Sequence, residues 1–361
     1  MGKQLKIFFD FLRFSIGSVK EIPDSLKEAD WKELYAIAKK QCLVGVLFDG
    51  IKKLPAEYVG MKKELLLQWM VESQMLEKAN ARLNDAAIQV SEWFRKKGFR
   101  TCILKGQGNA LMYPNPNSRT PGDIDIWVEG GDIRVISFVS SISPHEKACY
   151  HHIEFPSYKG IEVEVHYRPS FLLCFWHNRK LQEYYERVKE EQFSHRVMLG
   201  EQGEVAIPTA EFNLIFQLTH IFTHLMNEGI GLRQLLDYYY VLISDDLLLI
   251  RDRVQKELKE LGLWKFAGAI MYIMQEVFSM PASRLIVPPN EKYGKFVLNE
   301  VLEAGNFGKH DARNRFGNSP LGHNLQRVYR DMRLVRYFPA EALCEPIFRT
   351  WHFFWRMKNK K

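Results

Sequence analysis

Two short stretches of strict alternation restrict what this chain can fold into: Asp123-Ile-Asp-Ile-Trp-Val128 and Ile161-Glu-Val-Glu-Val-His-Tyr-Arg168. Side chains alternate across a β-strand, so Ile124, Ile126 and Val128 share a face suited to burial. Asp123 and Asp125 then project together from the other face, about 6.5–7 Å apart along the chain. In the second stretch Ile161, Val163, Val165 and Tyr167 share one face, and Glu162, Glu164, His166 and Arg168 the other. Two parallel carboxylates repel and raise one another's pKa; a divalent cation with several oxygen ligands is the usual compensation. If the two strands pair, as strands near in sequence often do, Glu164 or Glu162 completes a three-carboxylate pocket suited to Mg²⁺ and phosphates. The same repulsion predicts that Asp125→Asn leaves the metal-free protein as stable as before or slightly more so.

Basic and flexible residues flank the acids. Lys105 closes an apolar strand that begins at Thr101, and Gly106-Gln-Gly108 after it forms a turn able to bring backbone N–H groups close to phosphate. Arg119 stands four residues before Asp123, from where it can fold over the same site and offer a planar fork to a phosphate. Pro114-Asn-Pro-Asn-Ser118 is the clearest turn and a candidate mobile, substrate-facing loop. Further on, Thr209 or a neighbour caps a helix on which His220 and His224 lie four apart, and Arg233 and Asp237 repeat that spacing. H-x-x-x-H can bind zinc, but without the glutamate of H-E-x-x-H or an evident third ligand zinc is not expected. These histidines and the Arg233/Asp237 pair can satisfy each other where two helices cross.

As a set, Leu104-Lys-Gly106, Arg119-Thr-Pro-Gly-Asp-Ile-Asp-Ile126, Glu164-Val-His-Tyr-Arg168 and Leu232-Arg-Gln-Leu-Leu-Asp237 resemble the DNA polymerase beta-like nucleotidyltransferase superfamily. More narrowly, they resemble the bacterial uncharacterised nucleotidyltransferase family, often found near polysaccharide genes. The resemblance covers residues 30 to 330, with Lys105-Gly106 in place of the superfamily's usual Gly-Ser pair and a longer gap from glycine to aspartate. It implies an Mg²⁺-dependent enzyme that moves a nucleoside monophosphate from an NTP to a small-molecule or sugar-type acceptor. Asp123, Asp125 and Glu164 would be the catalytic metal ligands, with two ions when NTP is bound. Lys105, Gly106, Arg119 and Gly122 would meet the phosphates. Glu162, His166, His220, His224, Arg233 and Asp237 would line the cleft. One alternative is a non-catalytic nucleotide-binding or regulatory member. Another is an enzyme acting on nucleic acid through its basic C-terminus, which the absence of a helix-turn-helix, zinc-finger or RNA-recognition signature disfavours.

The period of the pattern changes twice along the chain, and an α+β fold follows. Residues 1–97 read as helical, with Asp30 capping Trp31 to Gln41 and a long helix over 61–97 ended by Gly98. Residues 98–207 hold a small mixed β-sheet core in β-β-α-β order with its helix over 132–142, and residues 208–361 form a C-terminal helical domain. Of 361 residues 46% are hydrophobic and 26% charged, an ordinary globular balance. No run approaches the ~18 apolar residues of a membrane span, and charges break the N-terminus before a signal core forms, so a cytoplasmic location is expected. The five cysteines are scattered and include no C-x-x-C pair, which suggests reduced, mostly buried thiols and neither a disulfide frame nor a zinc ribbon.

Charge is concentrated at the end. Residues 310–361 hold eleven Lys or Arg against four acids, an excess equal to the net +7 of the whole chain. Aromatics interleave them, Trp351 and Trp355 among others. This tail could meet nucleic acid, an anionic membrane surface or an acidic polymer. The helical spacing of Trp351 to Trp355 favours instead a helix whose aromatic face packs and whose arginines are solvated.

Overall fold

In the computed structural model, which describes residues 2–201, 203–244, 247–309, 311, 313, 316 and 319–358, the N-terminal helical pattern becomes α1 (Lys3–Ile16), α2 (Trp31–Lys40), α3 (Val44–Ile51) and α4 (Lys63–Lys96). Arg315, Lys360 and Lys361 of the basic tail lie outside the described residues. The Asp30 carboxylate accepts from the N–H groups of Lys32 and Glu33, satisfying two of the donors a helix start leaves free.

The strand-period region forms β1 (Thr101–Ile103), the short α5 (Gln107–Ala110), β2 (Ile124–Val128), α6 (Gly131–Ile142), β3 (His152–Tyr158) and β4 (Ile161–His166). The sheet order is β1-β2-β4-β3, with β2 parallel to β4 and the other pairs antiparallel. The expected pairing of the two alternating segments is present, in a register that sets Asp125 opposite Glu164 and Trp127 opposite His166. β3 was not expected. It carries Pro156, and its register shifts between Phe155 and Tyr158. Both features are tolerated on an edge strand and hide the alternation that would have revealed it.

After the sheet come α7 (Phe175–Ser194), a hairpin of β5 (Arg196–Leu199) and β6 (Gly203–Ala206), then α8 (Ala210–Asn227), α9 (Leu232–Leu242), α10 (Leu247–Glu260), α11 (Trp264–Phe278), α12 (Glu291–Ala304), α13 (Pro320–Leu334) and α14 (Pro339–Lys358). The fold is α+β. Among the described residues no helix is long and apolar enough to cross a membrane.

Two cores hold the sheet between them. Ile124, Ile126, Val128, Val163 and Val165 pack against Leu83, Val90 and Phe94 of α4 and Val135 and Val139 of α6. The opposite side contributes Cys102, Leu104 and Trp127 to a larger core that runs from Ile7 to Phe348. Trp69 of α4 belongs to the larger core and Phe94 to the smaller, so one helix bridges both. Residues on both sides of positions 97 and 207 contribute to the larger core.

The 114–118 loop is pinned. Asn80 Nδ2 donates to the carbonyls of Asn117 (2.9 Å) and Arg119 (2.8 Å), and Asn115 Nδ2 to Asp49 (2.9 Å). Gly45 of α3 lies so close that a Cβ there would stand 2.3 Å from the Ser118 carbonyl oxygen. Gly→Ala inside a helix ordinarily stabilises by about 1 kcal/mol. Gly45→Ala should instead destabilise by about 1–3 kcal/mol through overpacking, measured by urea denaturation; a stabilised variant would contradict this close approach.

Candidate active site

β2 and β4 bring the acids together. One carboxylate oxygen each from Asp123, Asp125 and Glu164 lies within 4.8 Å of the others. Asp125, in mid-strand, is buried, while Asp123 and Glu164 are half-buried at the rim. Glu162, one pleat further along β4, is exposed and outside this group, which leaves Glu164 as the third acid.

Two basic side chains hold Asp125. Lys105 Nζ is 2.9 Å from its Oδ1, and His166 Nε2 is 3.0 Å from the same atom and 3.3 Å from Glu164 Oε2. Lys105 is delivered by β1, which the Leu104 N–H extends by donating to the Asp125 carbonyl (3.0 Å). Gly106 then turns the chain with φ +60°, in the region that favours glycine. Burial opposes the charge on Asp125, yet Lys105 and His166 outweigh it and hold its pKa below the ordinary range. Glu164 is likewise held low against burial, by its hydrogen bond with His166 and by His152. Asp123 is different. The Asp125 charge first, and burial second, push its pKa up, and Lys105 only partly offsets them.

The second constellation separates into two parts. His220 on α8 joins the acid site: its Nε2 is 3.2 Å from Lys105 Nζ, and burial together with that ammonium pulls its pKa well down. The neutral ring can therefore accept from the lysine. His224, one turn on, faces Glu228 at 3.6 Å. Asp237 does not pair with Arg233 as the spacing suggested. It receives both Nε and Nη2 of Arg119 at 2.8 Å and the Tyr113 hydroxyl at 2.7 Å, all buried. Arg119 borders the same small pocket as Asp123, Gly122 and Arg233, but its fork is committed to α9 and not left free to fold over the acids. Arg233 is buried with its Nε unpartnered.

In front of the acids opens a cleft of about 740 Å³, within the range of small-molecule sites. Lys105, Asp123, Glu164, His166 and His220 line one side. Sequence reasoning missed the opposite wall: Lys309, Arg327 of α13, and Phe348, Arg349, His352 and Arg356 of α14. The expected aromatic packing is present in part, with Phe348 stacked on Phe171 and Trp351 edge-on to Tyr150, while Phe353 and Phe354 are exposed. The arginines, however, face the cleft and not bulk solvent alone. The four acids of this stretch, Asp311, Asp331, Glu341 and Glu345, are all buried, and Arg327 and Arg349 share Glu345 at 3.8 and 3.6 Å. Also unforeseen was His152 at the start of β3, 3.8 Å from Glu164. The adjacent pair His151-His152 was its signal, obscured with the strand that carries it.

The chain belongs to the uncharacterised nucleotidyltransferase family, whose model matches residues 27–279. That span takes in the acids, α8 and α9 and ends before α13 and α14. Among solved structures, an antigenic nucleotidyltransferase-like protein from Paracoccidioides brasiliensis is similar at 15% identity over 53% of this chain and 94% of its own, with a TM-score of 0.28. No curated protein matches the chain. Family membership supports nucleotidyl transfer as the class of activity.

Charge deletions separate the acids. A carboxylate held below its ordinary pKa contributes stability at neutral pH that is lost as the pH falls; one held above it costs stability there. Asp125→Asn should therefore lower the melting temperature of the metal-free protein, reversing the expectation from simple repulsion, because Lys105 and His166 lose their counter-charge. Asp123→Asn should leave it unchanged or raise it. The opposite order would contradict the arrangement. Asp237→Ala, which strands Arg119 in the interior, should cost about 3–5 kcal/mol in denaturant unfolding.

Proposed function

We propose that the protein transfers a nucleoside monophosphate from an NTP to a small-molecule or sugar-type acceptor, using Mg²⁺ held by Asp123, Asp125 and Glu164. The observation that carries this reading is the convergence of three carboxylates at the edge of a cleft of about 740 Å³, in a chain of this family. An all-oxygen donor set suits a hard cation, and the raised pKa of Asp123 marks negative charge that Lys105 and His166 leave uncompensated. When bound, two Mg²⁺ ions would supply positive charge to the triphosphate and to the attacking oxygen. The same convergence argues against a non-catalytic member.

The chain's own residues have separable tasks. Lys105, half-buried between Asp125 and His220, offers a point charge to the phosphates, and the turn at Gly106 offers backbone N–H groups. The acceptor oxygen attacks the α-phosphorus, the bond to the pyrophosphate oxygen breaks, and the acceptor's proton passes to the Glu164 carboxylate, which faces the cleft. His166 and His152 stabilise the Glu164 charge before that step. Arg119 acts through Asp237 by fixing the β2 approach against α9. The arginine wall favours an acceptor with an anionic substituent, such as a sugar phosphate. Its aromatic members, Phe348 and Phe353, support a second reading in which a nucleic-acid strand is the acceptor; binding that falls steeply with salt would select it.

Incubation with each NTP, Mg²⁺ and a panel of sugars, sugar phosphates and aminoglycosides tests the proposal by release of pyrophosphate. Release should require an acceptor and vanish in Asp125→Asn. Lys105→Ala should weaken all four NTPs by a similar factor, roughly 10-fold, as for the loss of one charge-assisted hydrogen bond. Loss for a single base would place Lys105 at the nucleoside end instead, and no pyrophosphate with any acceptor class would count against the transfer itself.

A further inference from the structure

A second group of ligand-type side chains lies behind the arginine wall, where α14 meets the start of α7. Cys174 is the residue before α7 and His177 lies three further on; Glu341 is in the first turn of α14 and Cys344 lies three further on. The two helices thus present C-x-x-H and E-x-x-C to each other. One ligand atom each from Cys174, His177 and Glu341 lies within 4.8 Å of the others, with His177 Nδ1 3.2 Å from Glu341 Oε1. Cys344 adjoins Cys174, close enough for each thiol to influence the other, and lies just outside that three-residue group. Cys174, Glu341 and Cys344 are buried.

Burial pushes both thiols up, Cys174 to about 12, and the backbone at His177 and Phe175, in the first turn of α7, only partly offsets it, so a bound cation would be what holds them as thiolates. Glu341 Oε2 accepts from the N–H groups of Leu173 (2.6 Å) and Cys174 (3.0 Å), which orients the carboxylate and leaves Oε1 towards His177. The ring is wedged on its far side: a Cβ at Gly262 would lie 2.4 Å from His177 Cε1. One sulfur, one imidazole nitrogen and one carboxylate oxygen converge, and the neighbouring Cys344 sulfur would supply the fourth donor of a closed site for a borderline-soft divalent ion. Outer hydrogen bonds of this kind are what such ligands ordinarily have.

We propose that Cys174, His177, Glu341 and Cys344 form a structural Zn²⁺-type site that fixes α14 on α7. Its position gives it a use. Glu341, Cys344, Glu345, Phe348, Arg349 and His352 recur at helical spacing on one face of α14, so the ion would anchor the same face that walls the cleft. The site stands apart from the acid triad in position and chemistry: its donors include sulfur, and the triad's are all oxygen.

Cobalt distinguishes the two, because only a thiolate ligand gives a sulfur-to-cobalt charge-transfer band in the near ultraviolet. The full chain, stripped with chelator under reducing conditions and titrated with Co²⁺, should develop that band to about one equivalent together with the visible bands of tetrahedral cobalt. Zn²⁺ should abolish the bands. Cys174→Ser and Cys344→Ser should lose them, whereas Asp125→Asn should keep them. If the serine variants fail to fold, alkylation of the wild-type chain decides: Zn²⁺ should protect Cys174 and Cys344, and not Cys42 or Cys149, from a thiol reagent read by peptide mass spectrometry. A stripped wild-type chain with no thiolate band, a band that survives in the serine variants, equal alkylation with and without Zn²⁺, or a Cys174–Cys344 disulfide in the protein as isolated would each overturn the proposal.

Discussion

A carboxylate in the middle of a central strand, with almost no exposure, is the constraint around which the site is organised. Asp125 sits on β2 with Lys105 at 2.9 Å and His166 at 3.0 Å on one oxygen. A buried charge is tolerated when it is paired and hydrogen-bonded, and here the partners come from the two strands that flank β2. Lys105 follows β1, and His166 ends β4. The sheet order is thus what neutralises the acid, and the acid is what brings Lys105, His166 and Glu164 to one place. The protein's own cations balance Asp125 and Glu164 more fully than Asp123, so the site is poised to take a further positive charge at the rim facing the cleft.

Beyond the sheet, a second buried pair borders the small pocket beside the acids. Arg119 and Asp237 meet through two parallel bonds, and Tyr113 completes the carboxylate's shell. Such a bidentate pair fixes direction as well as distance. It ties the segment entering β2 to α9. The opposite wall is made of α13 and α14, where buried acids underlie arginines that reach the cleft. The cleft therefore has carboxylates on one side and guanidinium groups on the other, and the guanidinium side suits substrates carrying several negative charges.

Much of this was legible in the sequence where a short pattern determines geometry. Alternation placed Asp123, Asp125, Glu164 and His166 on one face and their apolar neighbours on the other, and the parallel pairing of β2 with β4 realised that face. Asp30 and Thr209 cap the helices they were expected to cap. What failed to show depended on contacts between distant segments. Asp237 chose Arg119, 118 residues away, over Arg233 one turn away; side-chain spacing on one helix cannot reveal that competition. The edge strand β3 was hidden by Pro156. The tail's aromatic packing was visible in its helical spacing, but its contribution to the cleft depends on where α14 docks. The C-x-x-H and E-x-x-C halves lie 167 residues apart, so neither half resembles a metal motif alone.

The central claim is that Asp123, Asp125 and Glu164 together hold a divalent cation where Lys105 otherwise balances Asp125. Crystals of the protein soaked with Mn²⁺ and a non-hydrolysable NTP analogue, measured by anomalous scattering, test this most directly. The account predicts an anomalous peak within coordination distance of all three carboxylates, with Lys105 Nζ withdrawn from Asp125 towards phosphate. A peak held by His152 and His166 without Asp123, or none at the three acids while the analogue is bound, would contradict it.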